Sequence, residues 1–263
     1  MNNSLMIKYS AIIPTKNGGK YLTHTVKSVL TNKYKDCEIL ISFNKSSDNS
    51  LKVIRKIDDK RIRIFSTPSN FSMSKHYEWI LNKAKGKWIF ILGDDDAISK
   101  NFFSTIDDYL EKCSDKNIEA ISVNRANYYW NGVQNIYGPA AIRYMQSNKY
   151  KIINSKINLF KVLLGIMPYS KLPGLYVSGL VNRNLIEKIK KLKKNNKFFN
   201  EPNPDVYSAL IVSSYIKKYL RIEKPLFWVG TSTKSVAYKL IMKKKKNFDI
   251  KYNDFLKASE KDG

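Results

Sequence analysis

The sequence predicts an α/β fold, a mainly parallel sheet with helices on both faces, and three observations predict it. Across residues 1–125, short runs of β-branched and aromatic residues alternate with segments whose apolar residues recur at helical spacing. The changes of rhythm fall in polar, turn-forming loops such as PTKNGG and NKSSDNS. A strand–helix–strand series of this kind closes into a parallel sheet, because right-handed crossovers lay each helix back on the sheet that it connects.

YSAII (9–13) reads as the first strand, and Leu22, Val26, Val29 and Leu30 then mark one face of a helix. EILISF (38–43) is the second strand, followed by a helix carrying Leu51, Ile54 and Ile57. RIRIF (61–65) is the third, followed by Met73, Tyr77, Ile80, Leu81 and Ala84 at helical spacing. WIFIL (88–92), a helix over 100–113 and EAISVN (119–124) complete the alternation. Ligands of such sheets bind where strands end and loops begin. The candidate loops are therefore PTKNGG, NKSSDNS, TPSNFSMS and GDDDAIS.

Past Arg125 the rhythm breaks in NYYWNGVQNIYGPAAIRYMQ, rich in aromatics and Asn. Helical spacing returns at 156–166, GLYVSGLVN (174–182) reads as a strand, 184–194 as a helix, and 205–219 as a helix entered through NEPNPD. The chain thus divides into 1–125, 126–238 and a basic tail, 239–263, that holds the lysine run 243–246.

Lys and Arg number 47 against 22 Asp and Glu, a formal net charge of +25, which predicts attraction to a polyanion or an anionic surface. Part of that excess is general Lys and Asn usage. Cys37 and Cys113 lack CxxC or His spacing and are expected as buried thiols, and His24 and His76 are too far apart for a two-His metal site. No apolar run approaches the about 18 residues of a membrane span. MNNSLMIKYS lacks the apolar core of a signal peptide, so a cytoplasmic location is expected.

Against this basic background Asp94, Asp95 and Asp96 follow one another directly after the apolar WIFIL run and Gly93. Like charges repel, the more so at a partly desolvated strand end. The turn therefore implies a positive partner that the sequence does not contain. Mg²⁺ and Mn²⁺ take oxygen ligands, commonly one or two carboxylates plus substrate phosphates, and so fit an acidic turn on a sheet's ligand edge.

The segments SAIIPTKNGGKYLTHTVKSVL, EILISFNKSSDNS and NFSMSKHYEWILNKAKGKWIFILGDDD together resemble the family-2 inverting glycosyltransferases with the A-type nucleotide-sugar-binding fold. The likeness covers residues 8–105 well and 175–215 more loosely. It implies a single Rossmann-like domain with a nucleotide-sugar-binding half (1–125) and an acceptor-binding, catalytic half (126–238). It further implies that Pro14, Thr15 and Asn17 lie along the nucleotide, that Asn44 stands near the base, and that Ser72, Met73 and Ser74 border the sugar-nucleotide pocket. Asp94, Asp95 and Asp96 would hold the metal-bound diphosphate, with Asp96 and Asp94 as ligands to Mn²⁺ or Mg²⁺ and Asp96 the direct one. Two departures stand out. Phe43-Asn44 occupies the place where the family often has Asp-Asp, and Gly93 replaces the leading Asp of the common pattern, although Asp94-x-Asp96 keeps its spacing.

Inverting transfer needs a base for the proton of the acceptor hydroxyl. Family members supply it from an acidic residue that opens a helix well after the DxD, and Asp205 in EPNPDVYSALIVSSY stands in that place with Glu201 nearby. Asp205 is equally placed to cap its helix, and the two roles can coexist. The loop 230–235, with Lys234, reads either as a flap over a diphosphate or as a plain surface loop. The expected partners are a nucleotide-sugar donor, a UDP-sugar by preference, and a glycan or lipid-linked glycan acceptor of a bacterial surface polysaccharide. An anionic membrane surface, reached through the basic excess, is the third. The alternative, a basic nucleic-acid-binding protein, leaves the acidic turn unexplained, so no nucleic-acid partner is expected.

Overall fold

The computed structural model describes residues 7–138, 142–235, 238–239 and 241–242. The first half follows the predicted alternation: β1 (Tyr9–Thr15), α1 (Gly19–Leu30), β2 (Cys37–Phe43), α2 (Ser50–Ile54), β3 (Ile62–Ser66), α3 (Met73–Leu81) and β4 (Trp88–Ile91). β3, β2, β1 and β4 lie side by side in that order, all parallel. β1, β2 and β4 are buried along their whole lengths, as expected of uninterrupted apolar strands in the middle of a sheet, and β3 on the edge is only partly covered.

Successive residues of a strand point to opposite faces, and here they feed two cores. Ala11 and Ile13 of β1, with Phe90 of β4, pack beneath Leu22, Val26 and Val29 of α1 and beneath Phe102, Phe103 and Ile106 of α4 (Phe102–Glu111). Ile12, Ile89 and Ile91 face the other way, against Ile80 and Leu81 of α3 and against residues of two later helices, α7 and α8, described below. Helices therefore cover both faces. Cys37 and Cys113 are buried free thiols of the first core.

The second half departs from a purely parallel plan. After β4 the chain runs through the short β5 (Ala97–Ile98) and α4 into β6 (Ala120–Tyr129), α5 (Gln134–Tyr137), β7 (Ile142–Arg143), β8 (Tyr150–Asn154) and α6 (Ser155–Leu163). It ends in β9 (Gly179–Asn182), α7 (Arg183–Lys191), α8 (Pro204–Tyr215) and β10 (Lys218–Thr231). β6 does not lie beside β4. β9 sits between them, antiparallel to both, and β10 then joins β6 in parallel. Only the last four residues of GLYVSGLVN form this strand, and its first residue is glycine for a steric reason: a Cβ on Gly179 would lie 1.9 Å from the carbonyl oxygen of Ile121. Leu226 to Thr231, read in part as a loop, belong to the 14-residue β10, whose outer edge takes β5 and β8. The lysine run 243–246 lies outside the described residues.

Candidate active site

The carboxyl ends of β1 and β4, the start of α8 and the end of β10 converge on a cavity of about 820 Å³. Its lining includes Pro14, Thr15 and Asn17, Met73, the whole acidic turn, and Asp205. Three of the four candidate loops, all but NKSSDNS, thus meet the start of α8 in one hollow of the size used for small-molecule binding.

The acidic turn is held from several directions. Asp96 is 3% exposed, and its two oxygens accept hydrogen bonds from the backbone N–H groups of Gly93 (2.7 Å) and Gly230 (2.8 Å). Its backbone carbonyl accepts a bond from the Thr25 hydroxyl at 2.7 Å. The carbonyl of Asp95 accepts a bond from the Trp130 indole at 3.0 Å, and the Thr15 hydroxyl donates to Asp94 at 2.5 Å. Gly230 is sterically required here, since a Cβ on it would fall 1.7 Å from the Asp95 carbonyl oxygen. Asp94 and Asp95 open onto the cavity but are otherwise surrounded by protein. Burial, and after it the neighbouring carboxylates, push Asp95 and Asp96 upward from the usual carboxylate range; burial also raises Asp94 against the lowering effect of Thr15 and Lys234.

Oδ2 of Asp95 is buried with no hydrogen-bond partner. An orphaned anionic oxygen beside a second carboxylate, in a cavity edged by Lys16, Lys234 and Lys239, fits a hard cation that arrives with a diphosphate. Among the described residues no three His, Cys, Asp or Glu side chains enclose an ion by themselves, so part of any coordination shell has to come from substrate or water.

Asp205, also on the cavity lining, opens α8 behind Pro204, whose fixed φ and missing N–H suit the first helical turn. Its side chain makes no cap bond; instead Oδ2 accepts a hydrogen bond from the Tyr169 hydroxyl at 2.7 Å. Tyr77 and Tyr176 lie between the two acidic groups, their ring centroids 6.1 Å apart. Burial raises both hydroxyls far above the tyrosine range, and both also feel Asp205 on one side and the acidic turn on the other. His76, hydrogen-bonded to Ser42 at 2.6 Å, is pushed down to about 4 by burial and stays neutral.

The structure gives three predicted residues other work. Asn44 is fully buried: its amide nitrogen donates to the Phe71 carbonyl (2.8 Å), and its oxygen accepts from the Phe71 N–H (2.9 Å) and the Thr67 hydroxyl (3.2 Å). Those bonds pin the loop after β3 and leave no amide group turned toward a base. Ser72 caps α3 through Lys75, and Ser74 donates to the Glu201 carbonyl, so of that trio only Met73 lines the cavity. Asn17, at φ 58°, lines the cavity but spends its side-chain oxygen on the Ser47 (2.8 Å) and Asp48 (3.3 Å) N–H groups, tying the first loop to the second. Lys234 crosses from the end of β10 to the Asn17 carbonyl at 2.7 Å. Tyr176 and Trp130 fall in GLYVSGLVN and in the aromatic-rich 128–144 segment, whose rings the sequence offers either to an acceptor sugar or to an ordinary core, while Tyr77 and Tyr169 carry no such signal. Nothing in an aromatic residue's local pattern separates a cavity wall from an ordinary core.

Fold and cavity together define an A-type α/β protein whose ligand edge is acidic. The chain belongs to glycosyl transferase family 2, whose model matches residues 10–166. It is 34% identical over 113 residues to an uncharacterized glycosyltransferase of Mycoplasma genitalium, a match covering 40% of this chain and 38% of that one. It is 32% identical over 105 residues to the GalNAc(5)-diNAcBac-PP-undecaprenol beta-1,3-glucosyltransferase of Campylobacter jejuni, covering 38% of this chain and 34% of that one. The chain thus spans little more than a third of the length of these relatives. S. aureus TarS 1-349, crystallised with UDP-GlcNAc, shares the fold at a TM-score of 0.61 and 15% identity, over 94% of this chain and 69% of that one.

Proposed function

We propose that the chain transfers a glycosyl group, with inversion, from a nucleotide sugar to a hydroxyl of an acceptor glycan in bacterial surface polysaccharide synthesis: capsule, O-antigen or lipooligosaccharide. One observation carries the reading: the three-carboxylate turn and Asp205 line the same cavity. A UDP-sugar is the preferred donor and a lipid-carried glycan at an anionic membrane surface the preferred acceptor. The UDP-GlcNAc complex of the structural neighbour and the undecaprenol-linked substrate in the Campylobacter relative's name support these choices. Among the described residues no helix is long and apolar enough to cross a membrane.

In this mechanism Asp205, oriented by Tyr169, takes the proton of the acceptor hydroxyl as its oxygen attacks the anomeric carbon, and the bond from that carbon to the diphosphate oxygen breaks on the far side. Asp95 and Asp94 would hold Mn²⁺ or Mg²⁺, which when bound supplies neutralisation of the leaving diphosphate. Asp96 holds the turn's shape through its backbone bonds, which moves the direct-ligand role from Asp96 to Asp95. Lys234, already reaching the first loop, adds positive charge beside the leaving group.

The test is thermal unfolding with a panel of nucleoside diphosphates, with and without Mn²⁺. UDP with Mn²⁺ is expected to stabilise the protein by about 2.7 kcal/mol at a hundredfold excess over its Kd. If no nucleotide with metal moves the melting point while an oligonucleotide does, the transferase reading is rejected in favour of nucleic-acid binding.

A further inference from the structure

No Asp or Glu stands between Glu119 and Glu187, an interval that carries eight Lys and Arg. Within it the structure leaves a group of core-type side chains in water. Ile157, Phe160 and Leu164 follow one another at helical spacing along α6 and its C-terminal cap. Phe160 is 61% exposed, Leu163 beside it 67%, and Ile166 just beyond 70%. The opposite side of α6 is already engaged: the Ser155 hydroxyl donates to the Ser213 carbonyl of α8, and the Asn158 amide donates to the Tyr219 hydroxyl of β10, each at 2.8 Å. The apolar side is therefore the outward one. Lys149, Lys151 and Lys161 of the same stretch stand exposed, while the Lys156 ammonium is held by the Ser214 carbonyl of α8. A contiguous exposed apolar patch on a folded protein marks an interaction site.

We propose that α6 and the segment up to Ile166 dock on an anionic lipid bilayer, with the apolar side chains entering the boundary between headgroups and acyl chains and the lysines resting on lipid phosphates. Charge selects this occupant over a second copy of the chain. A symmetric pairing through this face would set lysine against lysine with no acid in the interval to relieve them, whereas an anionic bilayer supplies the missing sign. Position agrees: three residues after Ile166, Tyr169 holds Asp205, which lines the cavity, so a short stretch of chain joins the patch to the site. The inference rests on the lipid-carried acceptor proposed above.

Flotation of the full chain with vesicles tests it. Wild type is expected to float with phosphatidylcholine–phosphatidylglycerol vesicles at low salt, less at high salt, and not with phosphatidylcholine alone. Phe160→Ser and Ile166→Ser should each weaken partitioning about tenfold, and Lys151→Glu combined with Lys161→Glu by a similar factor. These side chains are solvent-facing, so melting point and the Mn²⁺-dependent UDP shift should stay at wild-type values. Absent flotation, equal flotation with neutral vesicles, or variants that float like wild type would overturn the proposal. So would a wild-type dimer that Phe160→Ser converts to monomer. Vesicle binding that depends on this patch, found together with no nucleotide shift, would sustain the docking face and sink the donor reading.

Discussion

Asp96 has both carboxylate oxygens bonded to backbone amides, one of them 134 residues away in β10, whereas Asp205 leans on a single tyrosine hydroxyl at the head of a helix. Both acids line one cavity. The acidic turn is braced by Thr15, Thr25, Trp130 and Gly230, so its geometry exists before any ligand arrives. The Asp205 carboxylate takes no other hydrogen bond from the described residues, which suits the proton-accepting role proposed for it. In the proposed mechanism preorganisation serves the place where charge accumulates, and lighter restraint the place where a proton changes hands. On this comparison the two walls fail differently when mutated.

The largest expected effect is Asp205→Asn. The amide keeps size and the bond to Tyr169 but loses basicity, so transfer should fall by about 10²–10⁴-fold while UDP with Mn²⁺ still raises the melting point. Near-normal transfer in this variant would shift attention to Glu201, which is exposed and whose carbonyl bonds Ser74.

The next pair separates neighbours inside the turn. In Asp96→Asn one oxygen becomes an N–H₂ that faces a backbone N–H, leaving buried donors opposed. Stability should drop by about 1–3 kcal/mol, visible as a lower melting point without ligand. Asp95→Asn removes a charge that burial and Asp94 already disfavour. Its melting point should hold or rise, while the Mn²⁺-dependent nucleotide shift disappears. Equal thermal loss in both variants would dissolve the distinction between a structural and a ligand-facing acid.

Lys234→Ala should leave the fold intact, since the side chain is exposed, and lower kcat/KM about tenfold through weaker neutralisation of the leaving group. Donor titration beside steady-state kinetics reads it. An unchanged kcat/KM would return the loop to a plain connection. Smallest is Tyr169→Phe, which removes the one hydrogen bond on Asp205 and should cost transfer a few-fold, by about the net worth of a single bond of 0.5–1.5 kcal/mol. A loss as large as that of Asp205→Asn would make Tyr169 a participant in the proton transfer.

The sequence by itself determined β1 to β4, the helices between them and the position of the acidic turn. Those features follow from apolar periodicity and turn residues that lie within a few positions of one another. It also put Asp205 at the start of a helix, because Pro204 and the apolar run after it are local signals. Tertiary structure alone decided who pairs with whom. A period of two says that 179–182 is a strand but not that it wedges antiparallel between β4 and β6, a placement that depends on a glycine clearing the Ile121 carbonyl. The same holds for side-chain bonds. Asn44 looked like a base contact until Thr67 and Phe71, more than twenty residues on, were seen to consume its amide. Asp96 looked like the direct metal ligand until Gly93 and Gly230 were seen to hold its two oxygens. Hydrogen-bond partners far apart in the chain leave no local pattern, so the acids that line the cavity were legible while the bonds that hold them were not.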